Sequence, residues 1–321
     1  MPAADMNAPL RVFICTRDDR LVRLEPSSFG WASETLLDGM EVQCVAADGS
    51  LVLIGTRDRG VLLSTDAGDS WESIVLPEPR VYSVAISAAD GALYAGTEPS
   101  RLFVSRDTES WSELRALQDI PSRESWSFPP RPSTHHVRWI APDPHKAERL
   151  LVGIELGGLM YTDDAGTTFS DHRPGAKRDV HSLVWHPIAE GRAYEAAGDG
   201  AAWSHDGGVS WNGADTGRDL RYCWAVAVDP ADPNCWYVSA ASGPQTAHSG
   251  SAGRGCLYRW NGGAWTRLAM PDESMPYALT ATNGRLLAGL ADGRLLTSTD
   301  RGESWEDTGI GTGSLLAMTA G

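Results

Sequence analysis

The chain is short of the features that define several large protein classes. No run approaches the roughly 18 apolar residues of a membrane-spanning helix. The opening stretch, MPAADMNAPL, lacks the apolar segment of a secretory leader. Cysteine is sparse: Cys15, Cys44, Cys223, Cys235 and Cys256 are scattered, odd in number and free of any CxxC pair. That pattern argues against a disulfide framework or a zinc knuckle. Together these absences lead us to expect a cytoplasmic protein with no membrane partner. Basic charge is also scarce, with 27 Lys and Arg against 42 Asp and Glu, a formal charge of −15. Nucleic-acid binding needs a basic surface, so no such partner is expected, and the acidity serves solubility. No window of useful length carries the 3.6-residue period of an amphipathic helix.

What the chain has in abundance is Trp and Gly, 13 and 34 of its 321 residues, which suits many strands joined by tight turns. One short pattern recurs. STDAGDSWES begins at Ser64, and TDDAGTTFS, SHDGGVSWN and STDRGESWE follow from Thr162, Ser204 and Ser298. A shortened copy, SRDTESWSE, begins at Ser105 and lacks the Gly. Aligning the closing aromatics, Trp31, Trp71, Trp111, Phe169, Trp211, Trp265 and Trp305, gives steps of 40, 40, 58, 42, 54 and 40 residues. A period of about 40 marks a blade or solenoid array. Each unit holds four short β-rich runs, such as VYSVAIS, ALYAGT, RLFVS and SWSEL between Val81 and Leu114. Four-stranded units repeated radially make a β-propeller, here of seven antiparallel blades. The first unit lacks its first strand, and SLLAMTA at 314–320 is a first strand with nothing after it. The expectation is an all-β, seven-bladed propeller over 10–321 after a flexible 1–9. Its ring is closed by the C-terminal strand pairing into the N-terminal blade, which removes exposed edges.

The pattern Ser/Thr-x-Asp-x-Gly-x-x-Trp/Phe resembles the Asp-box (BNR) repeat of sialidase-like propellers. That repeat recurs in sialidases, xyloglucan-active glucanases, sortilin-type receptors and photosystem assembly factors. The resemblance spans nearly the whole chain, with Asn261 in place of Asp in the sixth copy and no acid in the first. It implies the fold, while relatives of this kind do different jobs. Physically, Asp66 is expected to accept turn N–H groups, Gly68 to supply a positive φ, and Trp71 to cover the turn. Because the box is repeated, its Asp residues are read as structural.

Meander topology puts the boxes on one face and the starts of first strands on the other. At that second face lie Tyr82, THHVRW (134–139), RDVHS (178–182), RYCW (221–224) and MPYAL (275–279), with Arg57, Glu98 and Glu155 at second-strand ends. Two long insertions, 118–132 and 241–255, rim the same face; loops of this length in a compact fold are commonly functional. The first carries Trp126 and Phe128 as a wall, and the second, with Gln245 and His248, reads as a mobile lid. Within this set His136, His181 and Glu155 are the candidate catalytic groups. Arg138, Asp179, Arg221, Tyr222, Tyr277, Tyr82, Trp126 and His248 are the candidate ligand contacts. Each also has a structural reading: histidines and tyrosines fill channels, Arg138 and Glu155 can be a buried pair, and Glu195 a contact of its own blade.

The functional expectation is a polar small-molecule site near blades 4–6. Arg138 and Arg221 would hold an anion, and His136, His181 and Glu155 would supply acid–base chemistry of hydrolase or lyase type. The ligand expected is a small polar molecule or sugar. A metal held by His136, His181, Glu155 and His172 is chemically acceptable, but their spacing matches no established motif, so no cofactor is assigned. Sialidase chemistry is set aside: that family's six blades, Arg triad, Tyr–Glu pair and Asp do not map onto this chain. The competing expectation is a non-catalytic protein-binding or assembly scaffold.

Overall fold

The computed structural model describes residues 10–129, 134–282 and 284–321, so the flexible segment expected at 1–9 lies outside the described residues. Seven antiparallel sheets follow one another along the chain, six of them meanders of consecutive strands. Blade 3 shows the plan: Val81–Ile86, Leu93–Thr97, Leu102–Ser105 and Ser112–Glu113, paired in that order. Six sheets have four strands; blade 4 has three (Val137–Pro142, Leu150–Ile154, Gly158–Thr162), with a lone Tyr161–Ser170 bridge where its fourth would be. Blade 1 is shared. Leu315–Ala320 pairs antiparallel with Val12–Thr16, as the leftover strands predict. First strands touch first strands of neighbouring blades all round, and Leu315–Ala320 contacts blades 2 and 7, closing the ring on an axis.

Burial follows strand order. The second strands Leu93–Thr97, Leu150–Ile154 and Ala193–Ala197 are buried along their whole length, which is why they read as continuous apolar runs. Glycine lets adjacent blades close on one another. A Cβ on Gly96 would lie 2.5 Å from Val137 Cγ1, and one on Gly153 would lie 2.4 Å from Val180 Cγ1. These second-strand positions must stay bare for the next blade's first strand to seat.

The repeated turns share one hydrogen-bond pattern. Gly68 N–H donates to Ser64 Oγ at 2.8 Å, and Ser70 N–H donates to Asp66 Oδ1 at 2.8 Å. The same bonds recur at Asp164, Asp206 and Asp300. In the shortened copy Asp107 still accepts from Ser110 N–H at 2.7 Å. The Ser70 hydroxyl, then the Ser70 N–H and the Ser64 hydroxyl, hold the Asp66 carboxyl near 2, below its usual range. Each turn joins a third strand to a fourth, so all lie on the face opposite the first-strand starts.

Candidate functional site

Each first strand begins with an irregularity. In blade 2 the register passes from Val42–Thr56 to Cys44–Gly55, leaving Gln43 unpaired. The same slip isolates Tyr82, Arg138, His181 and Tyr277 in blades 3, 4, 5 and 7. Trp224 with Ala225 does so in blade 6, and Leu316 in the shared blade. A bulge re-aims a side chain out of the alternating pleat. All seven bulged positions line one cavity of about 580 Å3 running along the axis. Below the bulges the wall is largely apolar, with Val45, Ala47, Ile86, Ile140, Pro142, Trp185 and Leu279. At the mouth it carries Arg17, Tyr82, Phe128, Arg138, Glu155, His181, His248 and Tyr277. The polar site expected near blades 4–6 opens into this axial cavity. Its ionisable groups do gather towards blades 4–6.

Those groups form a line across three blades. His136 Nδ1 lies 3.6 Å from Glu98 Oε2, and His136 Nε2 is 2.6 Å from Glu155 Oε2. Glu155 Oε1 is 3.8 Å from His181 Nε2, which is 3.6 Å from Asp179 Oδ1. Arg138 Nε stands 3.4 Å from Glu155 Oε2, and its guanidinium lies over the Trp224 ring. Tyr82 stacks on His136 at 3.8 Å between centroids, and Phe128 meets that imidazole edge-on. Both imidazoles are buried.

The environments pull the acids apart. Burial pushes Glu155 up, but the His136 hydrogen bond and the Arg138 charge outweigh it, leaving the carboxyl at about 2. Asp179 is pushed up to about 7 by burial and by the nearby Glu155 and Asp199 charges. Burial lowers His181 to about 4, so its ring is neutral at pH 7. Its Nδ1 is 2.6 Å from the Cys223 carbonyl, which can only accept, so Nδ1 carries the proton and Nε2 is a lone pair. Tyr222 Oη is 3.4 Å from that Nε2 and 2.8 Å from His248 Nε2.

The structure gathers His136, Arg138, Glu155, Asp179, His181, Tyr222, Tyr82, Tyr277 and His248 at one end of the ring. Others fall elsewhere. Arg221 is exposed, just ahead of the first strand Tyr222–Val228, and outside the cavity wall. Trp126 is buried among blade 3 and 4 core residues, and its Nε1 donates to Ser122 Oγ, so it packs a wall instead of facing ligand. His172 accepts the Leu159 N–H and stands outside the cluster that Asp179 joins. The second insertion is built, not loose: Pro244–Ala247 is helical, and Tyr277 Oη donates to the Ala247 and Gly250 carbonyls. Arg17 is the mouth residue the sequence reading missed. It directly follows the second strand of its blade, as Arg57, Glu98 and Glu155 do, and that shared register was the available signal.

Among the described residues no helix is long and apolar enough to cross a membrane. No protein-family model matches the chain, and no curated protein matches it. Solved structures do. A GH74 xyloglucanase from Xanthomonas campestris superposes with TM-score 0.72 at 17% identity, over 94% of this chain and 53% of that one. The chain therefore spans about half the length of that enzyme. A putative 6-phosphogluconolactonase from Bacteroides uniformis gives 0.67 at 12%, over 98% and 100%. YCF48 bound to D1 peptide gives 0.60 at 14%, over 85% of each chain. At these identities the likeness is one of fold: the protein is a seven-bladed β-propeller shaped like both enzymes and peptide-binding proteins.

Proposed function

We propose that the mouth of the axial cavity binds a small polar or anionic molecule and handles it by hydrolase- or lyase-type chemistry. The observation that carries this reading is the convergence of Arg138, Glu155, His181 and His248 on the wall of a ligand-sized cavity, with Asp179 and Tyr222 beside His181. Arg138 and His248 would meet an anionic or hydroxyl group. Glu155, Asp179 and the unprotonated Nε2 of His181 form an acceptor set able to take positive charge, whether a proton or a cation. His136 acts through Glu155, which it holds. A sugar acid or its lactone has the right chemistry for such a mouth. Among the fold neighbours, the xyloglucanase and the putative 6-phosphogluconolactonase are described as enzymes, and YCF48 as bound to a peptide. Fold does not decide between these classes. Among the described residues the exposed large apolar side chains, Phe29, Val75, Trp139, Leu156, Ile188 and Val209, are divided among blades 1, 2, 4 and 5.

A thermal-shift screen of sugar acids, lactones and short carboxylates tests this. A hit should lose at least tenfold in affinity in Arg138→Ala, about 1.4 kcal/mol, and be unchanged in Arg221→Ala. A hit equally bound by the Arg138 variant moves the site elsewhere. A screen without hits, with protein captured on the same face, replaces this reading with the scaffold.

A further inference from the structure

We infer that Glu155, Asp179 and His181 bind a first-row divalent metal ion at the mouth of the cavity. This rests on the mouth being a ligand site and names what completes it. One oxygen from each carboxylate and one nitrogen of the imidazole lie within 4.8 Å of one another. A single ion with bonds of about 2.0–2.2 Å could bridge donors at that spacing after small side-chain shifts.

Three independent features point to a cation and not merely to clustered acids. The first is the imidazole. The Cys223 carbonyl at 2.6 Å fixes the proton on Nδ1, so a lone pair on Nε2 faces two carboxylates. Metal-ligating histidines almost always carry such a carbonyl or carboxylate partner on the far nitrogen. The second is the support of Glu155. Its Oε2 is occupied by His136 and Arg138, which leaves Oε1 turned towards His181. The third is space. A Cβ on Gly198 would lie 1.8 Å from Asp179 Oδ2, so a bare position lets this carboxylate lean into the cluster. The equivalent residue directly after the second strand is Glu155 in blade 4 and Glu98 in blade 3.

One imidazole and two carboxylates suit Zn2+, Mn2+ or Fe2+, and the lack of a thiolate argues against a copper(I) site. Two of the three donors line the cavity, so the remaining coordination positions face it. Three protein ligands with an open position is the arrangement of a catalytic centre and not a closed structural one.

The test uses the full chain after EDTA dialysis, titrated with ZnCl2 and separately MnCl2 by calorimetry and melting. We expect one ion per chain and a raised Tm. Asp179→Asn should fold, since it removes a like charge, and should weaken binding at least a hundredfold. His136→Gln, one shell out, should weaken it about tenfold. If Asp179→Asn binds as tightly as the parent, or the parent shows no one-to-one component, the metal site is refuted. The small-molecule screen run in EDTA separates the two readings. Anion binding through Arg138 without metal uptake retires the metal alone; metal uptake with no small-molecule response retires the proposed function alone.

Discussion

His136 Nε2 and Glu155 Oε2 lie 2.6 Å apart, both side chains nearly removed from solvent, their exposures being 0% and 7%. A mouth residue is commonly expected to carry little stability. Burial reverses that for the histidines. Truncating one partner strands a buried carboxylate, so His136→Ala should cost about 3–5 kcal/mol in denaturant unfolding. Adding Glu155→Gln should recover part of this. A double variant no more stable than His136→Ala would show that the histidine is held by its Tyr82 stacking instead.

A second buried carboxyl sits outside the mouth. Glu195 accepts the Lys177 N–H through Oε2, while its Oε1 is buried without a hydrogen bond. Burial pushes it up to about 8. The sign follows from linkage: below about pH 4.5 both folded and unfolded chains hold this proton. As pH rises the unfolded chain releases it first, so stability falls until about pH 8. Glu195→Gln cannot titrate. Its Tm should therefore decline less than the parent's between pH 5 and 8.5, and parallel curves would contradict the assignment.

The blade interlock is testable at Gly96. Alanine there places a methyl against Val137 Cγ1 at 2.5 Å. Overpacking of this kind costs about 1–3 kcal/mol. Adding Val137→Ala should return much of it. A Gly96→Ala variant as stable as the parent would mean that the blades can slide apart.

Ring closure gives a fourth expectation. Removing 314–321 deletes the partner of Val12–Thr16 and takes Leu316 from the mouth. The exposed strand edge should promote aggregation and lower Tm substantially. Melting indistinguishable from the full chain would count against closure by this strand.

The architecture was legible because its determinants are repeated: the Ser–Asp–Gly–Trp turns and the leftover terminal strands each state the same rule several times. The position of the cavity was not. Its wall is made of Ala, Val, Ile and Pro, residues indistinguishable in sequence from packed core. Nor could bulges be read, since one extra residue in a six-residue strand leaves no periodic trace. Arg221 lies just before its blade's first strand, where no alternation marks which way a side chain turns, and Arg17 passed unnoticed although its place directly after a second strand marked it. Trp126 was placed in the site by its loop, whereas its indole has the burial that large aromatics usually find.

A bulged residue has no partner directly across the sheet, and here it faces the axial cavity. Gln43 and Leu316 can accordingly be exchanged without asking the strands to re-register. The seven positions behave as an alphabet written around a fixed rim, one letter per blade. A library randomised at the letters that bear no buried hydrogen bond would sample new specificities while the ring itself stays the same.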